Sequence, residues 1–257
     1  MIFTTSDPAD AKVKIFFYDP DSNLKNIAGL KSIMQSYFND VGEQIEFQPF
    51  TKQEIFEAEL EKQAPDFVIV SSLYFLSTLR AKGMKPILIP IQNGKPYYHK
   101  VLVTNQPSIS KENLNGKSLA TTLGGDQGRE WLEKNVLSEV NTKVDDIRMI
   151  SVTKDIDALL ALGFYQVDTA LVSPRNIEIL RSVNPLAVKD LKIILNSKPI
   201  VFPPLCTTRS DIDPVTVQKI TEIFLNMQNH PLGIKTLKIL GFDQWSPEIK
   251  DIFARED

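Results

Sequence analysis

Cysteine and histidine are nearly absent from this chain. Its 257 residues hold one cysteine, Cys206, and two histidines, His99 and His230. A lone cysteine excludes an internal disulfide and a cysteine pair for a metal. Two histidines so far apart do not suggest a His-based zinc site. No metal and no cofactor is therefore expected. No apolar run reaches the roughly 18 residues that a membrane span needs. An excess of one charge is lacking too: 29 Lys and Arg face 32 Asp and Glu, with no basic run or stripe. Nucleic acid is thus not an expected partner.

What is present is ordinary for a folded domain. Hydrophobic residues at 42% and charged residues at 24% exclude a disordered chain and a disulfide-dense toxin. A chain of this length buries its core without covalent staples. The opening Met1-Ile2-Phe3-Thr4-Thr5-Ser6-Asp7-Pro8 is too short for a complete signal peptide. It reads either as a cytoplasmic start or as the remnant of a removed export signal.

The dominant pattern is a short apolar run, a turn, and a segment of helical period. Val13 to Tyr18, Ile45 to Phe50 and Phe67 to Val70 read as strands. Leu24, Ile27, Leu30, Met34 and Phe38 recur at helical spacing between the first two. Thr51-Lys52-Gln53-Glu54 matches a capping box. Ser71-Ser72 opens a helix ending near Gly83. The next section is β after β: Pro86 to Gln92, the turn signal Asn93-Gly94, and Tyr97 to Thr104. Alternation resumes with strands at Lys117 to Thr122, Arg148 to Val152 and Asp168 to Val172, and helices after each. Ser173-Pro174 and Asp213-Pro214 are cap-plus-proline helix starts. Leu191 to Leu195 and Ile200 to Thr208 are extended, and helices are expected at Pro231 to Leu240 and Pro247 to Phe253.

Two βα blocks around an uninterrupted β segment predict an α/β fold of two lobes. Residues 1–98 and 202–257 would form a discontinuous first lobe, and residues 99–201 the second. Two crossing strands would leave a cleft between them. In open α/β sheets ligands sit outside the carboxyl ends of strands, where helix N-termini present free N–H groups. The turns at those ends are rich in hydroxyls and amides, which also cap helices. They offer Tyr18, Ser71, Ser72, Thr122, Gly125, Asp126, Gln127, Thr153 and Ser173 as pocket lining, with His99 at the expected crossing.

Several chemistries fail at these turns. Arg129-Glu130 follows Gly128, where a P-loop needs Lys-Ser or Lys-Thr. Leu123 occupies a position that a dinucleotide fingerprint reserves for glycine, and Val152-Thr153 stands where its acidic residue belongs. No Gly-x-Ser-x-Gly elbow occurs. The pairs Asp19/Asp21 and Asp145/Asp146 read as solvated turns, His230 as a helix-end residue and Cys206 as a packed side chain. No catalytic constellation emerges, so an enzyme is not expected.

The order of segments resembles the phosphate/phosphite/phosphonate-type substrate-binding proteins of ABC importers, with their type II periplasmic fold. Tyr98-His99-Lys100-Val101-Leu102-Val103 and Leu114-Asn115-Gly116-Lys117-Ser118-Leu119-Ala120 look like that family's crossing strand and its D-L-K-G-K-x-V-A segment. Asp155 to Leu162 with Val167-Asp168-Thr169-Ala170-Leu171-Val172 looks like its A-L-x-A-V-x-x-G-x-V-D-A-A-V. Lys198-Pro199-Ile200-Val201-Phe202-Pro203-Pro204 with Asp211-Ile212-Asp213-Pro214 looks like its return strand and D-L-D-P helix start, and Leu237 to Phe242 like its L-x-x-L-G-I/F.

The resemblance implies lobes closing on a small polar solute, an oxyanion or phosphonate-like compound among the candidates, without chemistry. It also implies a monomer, a membrane permease as partner, and a periplasmic or membrane-associated extracellular location. Gly125-Asp126-Gln127 replaces the family's Ser-Thr-Ser cluster, and Thr153-Lys154 its Ser-His. A neutral, zwitterionic or cationic solute therefore stays open. So does a ligand-sensing module of a signalling system with the same fold.

Overall fold

The computed structural model describes residues 12–22 and 26–249. Met1–Ser6, Leu24 and the final residues of the expected Pro247–Phe253 helix lie outside them. From its start the chain builds β1 (Val13–Tyr18), α1 (Ile27–Asp40), β2 (Ile45–Phe50), α2 (Gln53–Gln63) and β3 (Phe67–Val70). β1 pairs in parallel with both β2 and β3. Successive side chains leave a strand on opposite faces. Ile15 and Phe17 therefore pack with Leu30, Met34 and Phe38 of α1, while Phe16 and Tyr18 pack with Phe56 and Leu60 of α2. Cover on both faces explains the continuous apolar runs Ile15–Tyr18 of β1 and Phe67–Val70 of β3, whereas β2 at the sheet edge alternates buried and half-buried residues.

After β3 comes the short α3 (Ser72–Tyr74), which widens into a π turn over Phe75–Leu79 before β4 (Lys85–Ile91). β5 (Tyr97–Tyr98) carries the chain into a second unit. There follow β6 (Val101–Thr104), β7 (Ser118–Thr121), α4 (Gly125–Asn135), β8 (Arg148–Ser151), α5 (Asp155–Gly163), β9 (Thr169–Val172), α6 (Pro174–Val183) and β10 (Lys192–Asn196). These strands form one sheet in the order β10-β6-β9-β7-β8. Ala120, Leu159 and Ile177 fill one of its faces, and Leu119, Leu132 and Leu171 the other.

β11 (Ile200–Val201) brings the chain back, antiparallel to β5. β12 (Leu205–Thr207) then inserts between β3 and β4. α7 (Pro214–Leu225) and α8 (Pro231–Leu240) add Ile220, Phe224, Leu237 and Leu240 to the core around α1. β13 (Gln244–Ser246) pairs with β4, completing a sheet ordered β13-β4-β12-β3-β1-β2. The fold is α/β, with two lobes joined by the β5 and β11 crossing strands and a cleft between the lobes.

Local chemistry explains several element ends. Asp213 accepts from the Val215 N–H at 3.2 Å, and His230 Nδ1 from the Leu232 N–H at 3.2 Å, so each caps a proline-led helix. Other expectations need correction. Lys52, not Thr51, is the N-cap of α2, and no side chain caps that helix. Asn93 and Gly94 adopt φ of 51° and 71° and close a hairpin turn through the reciprocal Gln92–Lys95 hydrogen bonds, but pairing stops at that one bridge. The extended stretch at Tyr97–Thr104 breaks at His99-Lys100, where the Lys100 N–H bonds Ser197 Oγ at 2.9 Å. Pro247 to Ile249 are not helical. The preceding strand β13 was missing from the sequence reading.

Candidate functional site

A cavity of about 2160 Å³ opens between the two large sheets. It is larger than the few hundred to a thousand Å³ of an ordinary small-molecule pocket. Tyr18, Asp21, Glu54, Glu57, Ser71 and Tyr74 line it from the β1 side. Thr122, Gly125, Asp126, Gln127, Trp131 and Thr153 line it from the β7 side, and Tyr97 and Lys198 from the crossing segments. Gln127 Nε2 donates to Ser77 O at 3.1 Å, joining the two walls.

Seven of the ten residues singled out in the sequence border this cavity: Tyr18, Ser71, Thr122, Gly125, Asp126, Gln127 and Thr153. Ser72, His99 and Ser173 are not among its lining residues, and their polar groups are engaged elsewhere. The buried Ser72 hydroxyl donates to Val201 O at 2.6 Å, fixing α3 to a crossing strand. The exposed His99 ring places Nδ1 3.0 Å from Ser197 O. Ser173 accepts from Asn176 Nδ2 at 2.9 Å and makes no side-chain cap to α6.

The β7 wall is built around the start of α4. Gly124 is the N-cap residue and no side chain caps the helix. The first-turn N–H groups of a helix have no intrahelical partner, and its N-terminus is partly positive. Gly125 has φ of 61°, a conformation that disfavours any side chain. Asp126 is exposed in the first turn and is not the cap.

The opposite wall is aromatic and acidic. Tyr18 stacks on Phe56 with ring centroids 5.3 Å apart and meets Tyr74 edge-on at 6.1 Å. The Tyr74 hydroxyl donates to Glu57 Oε1 at 2.6 Å. Burial, reinforced by nearby carboxylates, holds both phenols above the ordinary tyrosine range. Both therefore act as neutral donors.

Beneath the cleft lies a charge cluster that the sequence reading missed. Lys100 is fully buried, with Nζ 2.6 Å from Asp21 Oδ1, 3.0 Å from Asp155 Oδ1 and 3.0 Å from Thr122 Oγ1. Burial lowers the Lys100 pKa, but Asp155 and Asp21 outweigh it and hold the ammonium above its usual range. Asp155 Oδ2 accepts from the Ser173 N–H at 2.6 Å and from Asn176 Nδ2 at 3.2 Å. It thus takes the place of an anion at the N-terminus of α6. Burial, with Asp21 beside it, pushes Asp19 up to about 8. The signal was a lysine inside an apolar run, Tyr98 to Val103, where a charge needs partners. Glu54, Glu57, Tyr74 and Trp131 were also missed, because helix faces reveal their outward neighbours only in three dimensions.

A family model described as "ABC transporter, phosphonate, periplasmic substrate-binding protein" matches residues 15–251. The chain belongs to that family. Its role is accordingly that of a solute-binding component of an ABC importer, and the sensing alternative is set aside. The family is extracytoplasmic and works with a small-molecule ligand and a membrane permease. No helix of the described residues is long and apolar enough to cross a membrane. No curated protein matches the chain.

Solved structures share the fold at low identity. A binding protein component of an ABC phosphonate transporter from Pseudomonas aeruginosa is 15% identical, with a TM-score of 0.73 over 91% of this chain and 80% of that one. PhnD1 from Prochlorococcus marinus, in complex with methylphosphonate, is 12% identical, with a TM-score of 0.72 over 91% of both chains. An ancestral arginine-binding protein bound to arginine is 16% identical, with a TM-score of 0.59 over 89% of this chain and 97% of that one.

Proposed function

We propose that the cleft binds a small zwitterionic solute, without chemistry, and that the protein delivers it as a monomer to its permease. One observation carries this reading. An uncapped helix N-terminus faces the cavity from one wall, and carboxylates with aromatic rings face it from the other. The first turn of α4, with Thr153, suits the oxyanion end of a solute, while the Thr122 hydroxyl is taken up by Asp21 at 2.9 Å. Glu54 and Glu57 beside Tyr18 and Tyr74 suit an ammonium or guanidinium end.

Asp126 and Glu130 also border the α4 side, while Lys134 is paired with Glu130 at 2.7 Å. Lys52 and Lys198 are the other lysines among the lining residues. An unbalanced dianion beside Asp126 meets like-charge repulsion, which a cationic group on the same molecule offsets. Methylphosphonate and arginine, bound by proteins of this fold, exemplify the two ends. The pocket residues in this reading are Tyr18, Ser71, Thr122, Gly125, Asp126, Gln127 and Thr153. Among the described residues, those up to 98 and from 202 onward move as one lobe and residues 99–201 as the other, about β5 and β11.

Native mass spectrometry of freshly purified protein should show a co-purified small molecule. Calorimetric titration should then rank aminoalkylphosphonates and arginine above methylphosphonate and inorganic phosphate. Equal or tighter binding of the amine-free anions overturns the zwitterion reading. Conversion of a bound compound, followed by nuclear magnetic resonance, overturns the absence of chemistry.

A further inference from the structure

The inner end of the cleft is bridged by the protein's own charges. Asp21 lies in the turn after β1, on the six-stranded-sheet side. Its carboxylate receives three donors: Lys100 Nζ at 2.6 Å and the Thr122 hydroxyl at 2.9 Å on Oδ1, and the Tyr98 hydroxyl at 2.6 Å on Oδ2. Lys100 and Thr122 belong to the other lobe, and Tyr98 to a crossing strand. The Asp21 side chain is 9% exposed and that of Lys100 is 0% exposed. A pair so removed from solvent is little screened by salt.

The arrangement is asymmetric in a useful way. Lys100 has a second carboxylate, Asp155, at 3.0 Å within its own lobe, and it also touches Thr122 there. The buried ammonium therefore stays paired inside the second lobe if Asp21 is removed. Asp21 has no such alternative, since its three donors all come from across the cleft or from the crossing strand. Fold maintenance thus falls to Asp155, and contact between lobes to Asp21. Two further cross-lobe contacts lie away from this inner end: Arg175 Nη1 to Leu240 O at 3.1 Å, which links α6 to the end of α8, and Gln127 Nε2 to Ser77 O at 3.1 Å.

We propose that Asp21 is the positioning residue of a built-in tether: by pairing with Lys100 it holds the lobes together at the inner end of the cleft when no solute is bound. The solute then meets a clamp whose inner end is already joined, and its own contacts close only the outer part. A buried ion pair is weak evidence of added stability, and in some proteins such a pair fixes one arrangement among several. The proposal rests on the two-lobe clamp reading, but its test uses no solute and is independent of which ligand the cleft takes.

The experiment is double electron–electron resonance between spin labels at Glu61→Cys, in the last turn of α2, and Glu139→Cys, beyond α4. Both positions are exposed, whereas the natural Cys206 is buried. The protein is dialysed until its native mass spectrum shows polypeptide alone. Wild type should give one short-distance population. Asp21→Asn should shift a large share of molecules to longer, broader distances at a little-changed melting temperature. Lys100→Met should do the same with a lower melting temperature. If Asp21→Asn keeps the wild-type distance distribution, whatever its melting temperature, Asp21 merely stabilises its own turn and the proposal fails. It fails equally if solute-free wild type already shows the broad distribution.

Discussion

Arg175 and Gly241 occupy each other's space. Arg175 Nη1 donates to the Leu240 carbonyl at the end of α8, and a Cβ added to Gly241 would overlap the guanidinium. Gly241 also has φ of 84°, ending α8 in the left-handed conformation. Glycine is therefore required twice, once for its backbone and once for its missing side chain. A Gly241→Ala variant should lose roughly 1–2 kcal/mol from the backbone alone. It should also displace Arg175 from a contact between lobes. Urea unfolding measures the loss, and a variant as stable as wild type would refute the assignment.

Gly125 makes a separable demand. A Cβ there meets nothing within 4 Å, so space is not limiting, but φ is 61°. Gly125→Ala should cost about 1–2 kcal/mol if the turn is retained. If the turn instead relaxes, the first N–H groups of α4 lose their aim into the cleft. Affinity for the oxyanion end should then fall while stability holds. Calorimetry beside thermal melting reads the two outcomes, and a variant unchanged in both contradicts the role given to this turn.

Glu57 tests the cationic end. Tyr74 holds its Oε1 at 2.6 Å, which orients the carboxylate beside the rings. Glu57→Gln keeps the shape and removes the charge. A charge-assisted hydrogen bond is worth about 1.5–3 kcal/mol, so affinity for an amine-bearing solute should drop about 10- to 150-fold. Methylphosphonate, which has no amine, should be bound as well as before or better. An equal loss for both compounds would show that Glu57 acts on the fold rather than on the ammonium.

Asp19 sets a pH dependence whose sign follows from its shift. Its pKa rises from 3.8 to about 8 through burial and the neighbouring Asp21. Below about pH 4 it is protonated folded or unfolded. Between about 4 and 8 folding retains the proton, and the stability linked to it declines as pH rises, vanishing above about 8. Asp19→Asn removes this dependence, and its amide oxygen can still accept the Asp21 N–H that Asp19 Oδ1 accepts at 3.2 Å. The stability of the variant relative to wild type should therefore grow between pH 5 and pH 8.5 in urea unfolding. A constant difference would show that Asp19 is not the group responsible.

Asp168 works in the other direction. Burial raises it, but the Ser118 N–H at 2.8 Å and hydroxyl at 2.7 Å outweigh burial and hold it below the ordinary carboxylate range. Stability from this group is present above the ordinary value and lost as the pH falls through its depressed one. Asp168→Asn should thus be destabilising at neutral pH and progressively less so in acid, as circular-dichroism melts at several pH values will show.

The strands at Val13–Tyr18 and Phe67–Val70 were legible to the residue because apolar side chains on both faces leave few alternatives, and Ile45–Phe50 because Ile45, Phe47 and Pro49 alternate with Glu46 and Gln48. β13 was not, since Gln244-Trp245-Ser246 becomes a strand only by pairing with β4. The Thr51 capping box failed because Lys52 occupies the cap position. Turns at strand ends pointed to seven lining residues, since topology alone places those turns at the cleft. Asp21 and Asp155 stayed hidden for another reason. Their partner Lys100 lies 79 and 55 residues away, and each acid looked like an ordinary turn or cap residue on its own.

The insertion of β12 between β3 and β4 also dictates an order of assembly. The five strands of the second sheet all lie between Val101 and Asn196, so that sheet can close as soon as this stretch has left the ribosome or the export channel. The first sheet cannot. Among the described residues β4 pairs only with β12 and β13, both of which arrive after the second lobe has been made. Pairings at such sequence separation form slowly. A nascent chain halted just before Leu205 would hold every strand of the second sheet, while β4 waited without a partner.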